Sequence, residues 1–210
     1  LVAQNKNFTI ELSLSDAKSG SKYVFMSRAE KIQDTITLKK DGEKVKYTHA
    51  ATAPVALSVG YIAPSEKRAK TGINLYVEAA ETIKVNGVIE NIAQCSISGG
   101  IYDNEIIQKI RTQEAIQAKH YADYRAASAK KDESASKAAS DAYDAVDEAI
   151  TALEYEYVKQ NPSSNYSAVL LSQNLRGNIK VIESLYNALS ADVKASQVGK
   201  AIGERIPVIK

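Results

Sequence analysis

One cysteine, two histidines, no tryptophan and only two phenylalanines leave this 210-residue chain short of the side chains that carry most enzyme chemistry. Cys95 alone can close no internal disulfide, supply no Cys-x-x-Cys redox pair and build no thiolate metal cluster. His49 and His120 lack a companion at the i,i+4 spacing of a helical zinc site. The sequence holds no run of 18 apolar residues, so it contains no helical membrane span. It is also nearly without net charge. Lys and Arg number 27 against 25 Asp and Glu, leaving +2, and residues 1–111 carry 15 basic and 12 acidic side chains. That even spread argues against a nucleic-acid polyelectrolyte. What remains is 44% hydrophobic residues and 12 tyrosines among 14 aromatics. A chain of this length buries roughly 70% of its unfolded surface without a metal or disulfide staple. Composition by itself assigns no function.

The first 100 residues hold seven of the ten glycines and follow a period of two. Phe8, Ile10, Leu12 and Leu14 fall on one face, with Thr9, Glu11 and Ser13 on the other, which is the pattern of a half-buried strand. Further strands are predicted at 22–27, 35–38, 43–48, 55–62, 73–79, 82–85 and 93–97. Asp41-Gly42 and Asn86-Gly87 read as two-residue hairpin turns, because these residues tolerate positive φ. Seven or eight short strands point to an antiparallel sandwich or barrel.

From about Asp103 the period becomes helical. Asn104 is placed to cap a helix running to about Lys130, with Ile106, Ile107, Ile110, Ile116 and Tyr124 on its apolar side. Lys130-Lys131-Asp132-Glu133-Ser134 interrupts it. A second helix then turns Ala142, Val146, Ala149, Leu153 and Tyr157 inward until Asn161-Pro162 stops it. Three shorter helices follow: 166–175 capped by Ser163 or Ser164, 179–189 capped by Asn178, and a last one capped by Ser190 with Val198, Ile202 and Ile206 inward. The expected architecture is therefore α+β, an antiparallel β-domain over 1–100 followed by an all-α domain over 101–210.

Few residues stand out as chemical candidates. Cys95 alternates with Ala93 and Ile97 on a predicted strand and reads as a small core hydrophobe. His49 is expected at a strand end and His120 on a helix. Asp132-Glu133 and Asp144, Asp147 and Glu148 read as solvated helix surface, with long-range carboxylate pairing left open. Gly99-Gly100 precedes a helix without a phosphate-loop pattern and reads as a domain junction. Gly199 and Gly203 suggest close helix packing. Tyr155 and Tyr157 lie on different sides of one helix. No residue is expected to be catalytic, cofactor-binding or metal-ligating, and no cofactor is implied.

Three stretches carry a family resemblance. Phe8-Thr9-Ile10 with Lys22-Tyr23-Val24-Phe25, then Asp34-Thr35-Ile36-Thr37-Leu38-Lys39-Lys40-Asp41-Gly42, resemble the opening strands of a β-domain. Asn161-Pro162-Ser163-Ser164 with Tyr166-Ser167-Ala168-Val169-Leu170-Leu171, and the run from Ile182 to Ser196 closing on Gly199-Lys200, are similar to the helical segment that follows it. The family is that of envelope thiol–disulfide oxidoreductases of certain Gram-negative bacteria, in which both parts precede a thioredoxin-like domain. Where that family writes Glu-Asn-Gly, this chain has Glu78-Ala79-Ala80-Glu81.

The resemblance implies a non-catalytic accessory module of a periplasmic or envelope enzyme. Its redox pair would lie in a thioredoxin-like domain after Lys210, and its partners would be that domain and envelope protein substrates. Leu1-Val2-Ala3-Gln4 then reads as the remnant of a removed signal peptide or as a domain boundary, with lipid anchoring and oligomeric state open. The alternative is a self-contained binding protein that captures a peptide or glycan on exposed Tyr23, Tyr47, Tyr61 and Tyr76.

Overall fold

A computed structural model describes residues 6–51 and 53–209. The N-terminal Leu1-Val2-Ala3-Gln4 and the terminal Lys210, on which expectations about export and continuation rested, lie outside the described residues. The chain is α+β and divides into two compact units, Leu1–Asp103 and Asn104–Lys210.

The first unit contains eight strands: β1 (Lys6–Leu14), β2 (Lys22–Ser27), β3 (Ile32–Thr37), β4 (Val45–Ala51), β5 (Val55–Ile62), β6 (Thr71–Val77), β7 (Thr82–Gly87) and β8 (Ser96–Ser98). They form two four-stranded sheets, ordered β4-β1-β7-β8 and β3-β2-β5-β6. Alternation puts Phe8, Ile10, Leu12 and Leu14 inside, each at most 2% exposed. The two sheets meet through these inner faces: Phe25 of β2 stacks on Tyr47 of β4 with ring centroids 4.0 Å apart and planes 10° from parallel.

Three features depart from the sequence reading. The sandwich is not purely antiparallel, because β1 runs parallel to β7 with Ile10 opposite Ile83. Asp41-Gly42 closes no hairpin: β3 and β4 belong to different sheets, and the pair lies in the crossover between them. There the Asp41 carboxylate accepts a bond from Ser19 N–H at 2.8 Å, and Gly42 N–H donates to the Ala17 carbonyl. Asn86-Gly87 likewise ends β7 without a tight turn, and a 3-10 segment, Ile89–Gln94, intervenes before β8. Cys95 therefore follows this segment and is not on the strand predicted at 93–97. The tight β2–β3 hairpin instead turns through Arg28-Ala29-Glu30-Lys31, with Lys31 at φ +55°.

The second unit opens with α1 (Glu105–Ala129), whose N-terminus Asn104 caps by accepting from Ile106 N–H, and α2 (Glu133–Gln160), capped by Asp132. The two form a long antiparallel hairpin, tied by a bond from Gln117 Nε2 to Asp147 Oδ1 at 2.8 Å. The predicted inner face of α2 holds except at Ala149, which is exposed: Tyr157 is buried, and Ala142, Val146 and Leu153 are half-buried. Ile150 and Val158 are buried as well.

Four shorter helices follow where three were expected: α3 (Asn165–Gln173), α4 (Ile179–Ala188), α5 (Ala191–Ala195) and α6 (Gln197–Ile209). Ser190 caps only the five-residue α5, and α6 begins after Ser196 takes an extended conformation. Ser164 and Asn178 cap α3 and α4. The Asn161-Pro162-Ser163-Ser164 stretch is a structural node. Asn161 Nδ2 donates back to Tyr157 O, Ser167 Oγ donates to Asn161 O at 2.6 Å, and Ser190 N–H donates to Pro162 O. Gly199 backs onto the Val193 carbonyl and Gly203 onto the Tyr186 hydroxyl, the close packing their spacing predicted.

Candidate functional site

One polar cluster in the sandwich gathers around Asp34 of β3. Tyr47 O–H donates to Asp34 Oδ2 at 2.6 Å, and His49 Nδ1 lies 3.7 Å from the same oxygen. Both histidine and phenol come from β4, two residues apart and so on one face, while Phe8 of β1 flanks both rings. His49 sits inside β4 opposite Phe8 rather than at a strand end. Burial and then the hydrogen bond to Asp34 push the Tyr47 phenol well above its usual range. That phenol is a hydrogen-bond donor joining an edge of one sheet to an edge of the other.

The four tyrosines offered as a binding platform are core residues. Tyr23, Tyr47, Tyr61 and Tyr76 are 1%, 6%, 7% and 7% exposed. Tyr61 O–H shares a bond with the buried Ser21 Oγ at 2.7 Å and accepts from Lys18 N–H. The Tyr23 hydroxyl is buried with no hydrogen-bond partner, and desolvation drives its pKa upward. The alternative reading of a peptide- or glycan-binding face required these rings to be exposed, and they are not.

Cys95 is buried, as expected of a core thiol, and lies against Gly87, where a Cβ would come within 2.6 Å of its Sγ. At Gly99 the chain takes φ +94°, and a Cβ would approach the Thr82 carbonyl to 2.0 Å, so this glycine serves a tight backbone crossing. Tyr102, just beyond it, accepts from the Tyr76 N–H of β6 at 2.9 Å. Among the described residues no group of three or more His, Cys, Asp or Glu side chains is placed to hold a metal ion.

The helical unit brings together two carboxylates that the sequence reading did not single out. Glu154 of α2 is raised above the usual carboxylate range first by burial; an Asn174 bond at 2.7 Å opposes this, and the charges of Glu114 and Asp147 add to it. Glu114 of α1 is raised by partial desolvation between the helices and held down in part by Arg111. No local pattern marks this pair, because it depends on the register of α1 against α2. Asp132, read as solvated surface, is exposed and also caps α2, accepting from Ala135 N–H. His120 is half-buried on α1, Tyr157 is buried and Tyr155 is half-buried. Nearer the hairpin tip, Tyr121, Tyr124, Ser140, Tyr143 and Asp144 line an open groove of about 310 Å³. Compared with family models, with curated proteins and with solved structures, the chain matches none.

Proposed function

We infer that this chain is the N-terminal accessory part of a periplasmic or envelope thiol–disulfide oxidoreductase, a β-domain and helical connector that carry no redox pair themselves. The observation that supports it is the turn Glu78-Ala79-Ala80-Glu81. Ala80 stands at φ +71°, a conformation that favours glycine, at the position where the resembled family writes the glycine of Glu-Asn-Gly. Glu78 N–H donates to the Glu81 carboxylate at 2.8 Å, closing the turn that leads into β7. The module positions or docks a thioredoxin-like domain that follows Lys210 and carries the Cys-x-x-Cys. Burial of Tyr23, Tyr47, Tyr61 and Tyr76 removes the platform on which a self-contained peptide- or glycan-binding role would rest.

Reading the gene beyond Lys210 tests this directly. A thioredoxin-like domain with its cysteine pair is expected, and a stop codon in that place overturns the proposal. Insulin reduction by the 210-residue chain is expected to equal that of Cys95→Ser; activity above that control contradicts the non-catalytic part of the reading.

A further inference from the structure

The hairpin of α1 and α2 is too long for what it buries. Along its distal two-thirds, from Arg111 to Ala149, no described residue is buried, although the stretch contains several large apolar and aromatic side chains. Ile116, Tyr121 and Tyr124 are 40%, 53% and 41% exposed, and Tyr121 meets Tyr143 across the seam with ring centroids 6.3 Å apart. Two helices alone cannot enclose a seam, and helices of this length ordinarily gain most of their stability from an apolar face packed against further helices. The seam is besides polar here, with Gln117 bonded to Asp147 and Ser128 to Ser136.

We propose that the distal hairpin closes on a second copy of this chain, the two hairpins forming a four-helix bundle around the Tyr121, Tyr124 and Tyr143 groove. Charge selects the occupant. Within the distal hairpin residues 111–129 carry three basic and two acidic side chains, whereas residues 133–149 carry one basic and five acidic ones. A two-fold axis parallel to the bundle sets α1 of each copy beside α2 of the other, so a weakly cationic helix meets a strongly anionic one. The other face-to-face arrangement, with the axis across the helices, would lay α2 on α2, and like charges at such distances repel. Within the hairpin Tyr121 faces Tyr143 and Gln117 faces Asp147, so with tips together Arg125 of one copy sits about 7 Å nearer the tip than Asp144 of the other, and each side chain leans toward its own helix N-terminus and so toward the other.

The size of the face sets the strength. A hairpin face roughly 25 Å long and roughly 20 Å wide contributes about 500 Å² per copy, or about 1,000 Å² in all, the lower limit for a specific interface. An interface at this limit is expected to be reversible, and its equilibrium is sought in the micromolar range.

Sedimentation of the intact chain across that concentration range tests the proposal. A monomer–dimer equilibrium weakened by high salt is expected. Tyr121→Ser with Tyr124→Ser should raise the dissociation constant about tenfold or more while leaving the helical circular dichroism of the folded chain unchanged, since both rings are partly exposed. Arg125→Glu and Asp144→Lys should each weaken the dimer, and the two together should restore it. A chain that stays monomeric throughout, or a dimer indifferent to these substitutions, overturns the proposal.

Discussion

Individual side chains in this protein act mainly by joining distant backbone segments. Tyr102 illustrates the type. Strand β6 is an edge of its sheet, and its Tyr76 N–H would otherwise face outward; the Tyr102 phenol accepts from it at 2.9 Å, covering part of the edge. Tyr102→Phe keeps the ring and removes the acceptor. It is expected to lower the stability of the β unit by about 1–2 kcal/mol, read as a shift of the urea midpoint at unchanged slope. Asp34 with Tyr47, and Tyr61 with Ser21, do the same work elsewhere in the sandwich. Such pairs leave no trace in the sequence. A strand's alternation says that Tyr47 points inward, but not that a carboxylate 13 residues earlier will meet it.

Elements were legible to the extent that their signals are local. Asn104, Ser164 and Asn178 cap the helices they precede, because a short polar side chain in an extended conformation reaches the first free N–H groups whatever the surroundings. Ser164 also lies 3.3 Å from the Tyr157 hydroxyl, tying the start of α3 to the end of α2. Ser164→Ala is expected to cost about 1 kcal/mol and to lower the thermal midpoint of the helical unit, measured by circular dichroism. Turns were less legible. Asp41-Gly42 and Asn86-Gly87 can adopt hairpin turns, yet the first spans two sheets and the second precedes a 3-10 segment, while Arg28-Ala29-Glu30-Lys31 makes a hairpin without a glycine. A turn propensity permits a reversal without choosing which strands pair across it. The last predicted helix divides into α5 and α6 because the backbone at Ser196 is extended, after a helix that Ser190 caps.

At the scale of the whole molecule, pH bears on the helical unit through its facing carboxylates. Glu154 is raised by burial and by the neighbouring charges of Glu114 and Asp147, so the folded state holds its proton more tightly than the unfolded chain does. The stability it contributes is full below the ordinary glutamate range and is lost as the pH rises through the raised value. Wild type should therefore gain stability relative to Glu154→Gln as the pH falls from neutrality toward the ordinary glutamate range, with a flatter profile for Glu154→Gln; parallel profiles would refute the assignment. This pair, the burial of the four β-unit tyrosines and the order of the strands were all decided by tertiary structure. The sequence by itself determined the α+β character, the change from period two to period 3.6 near residue 103, which residues face inward along β1, and most helix starts. These properties follow from backbone geometry and neighbours within a few residues. Which sheet a strand joins, whether it runs parallel as β1 does to β7, and which carboxylates face each other depend on how inner surfaces pack once the chain has closed on itself, and residues far apart in sequence set that together.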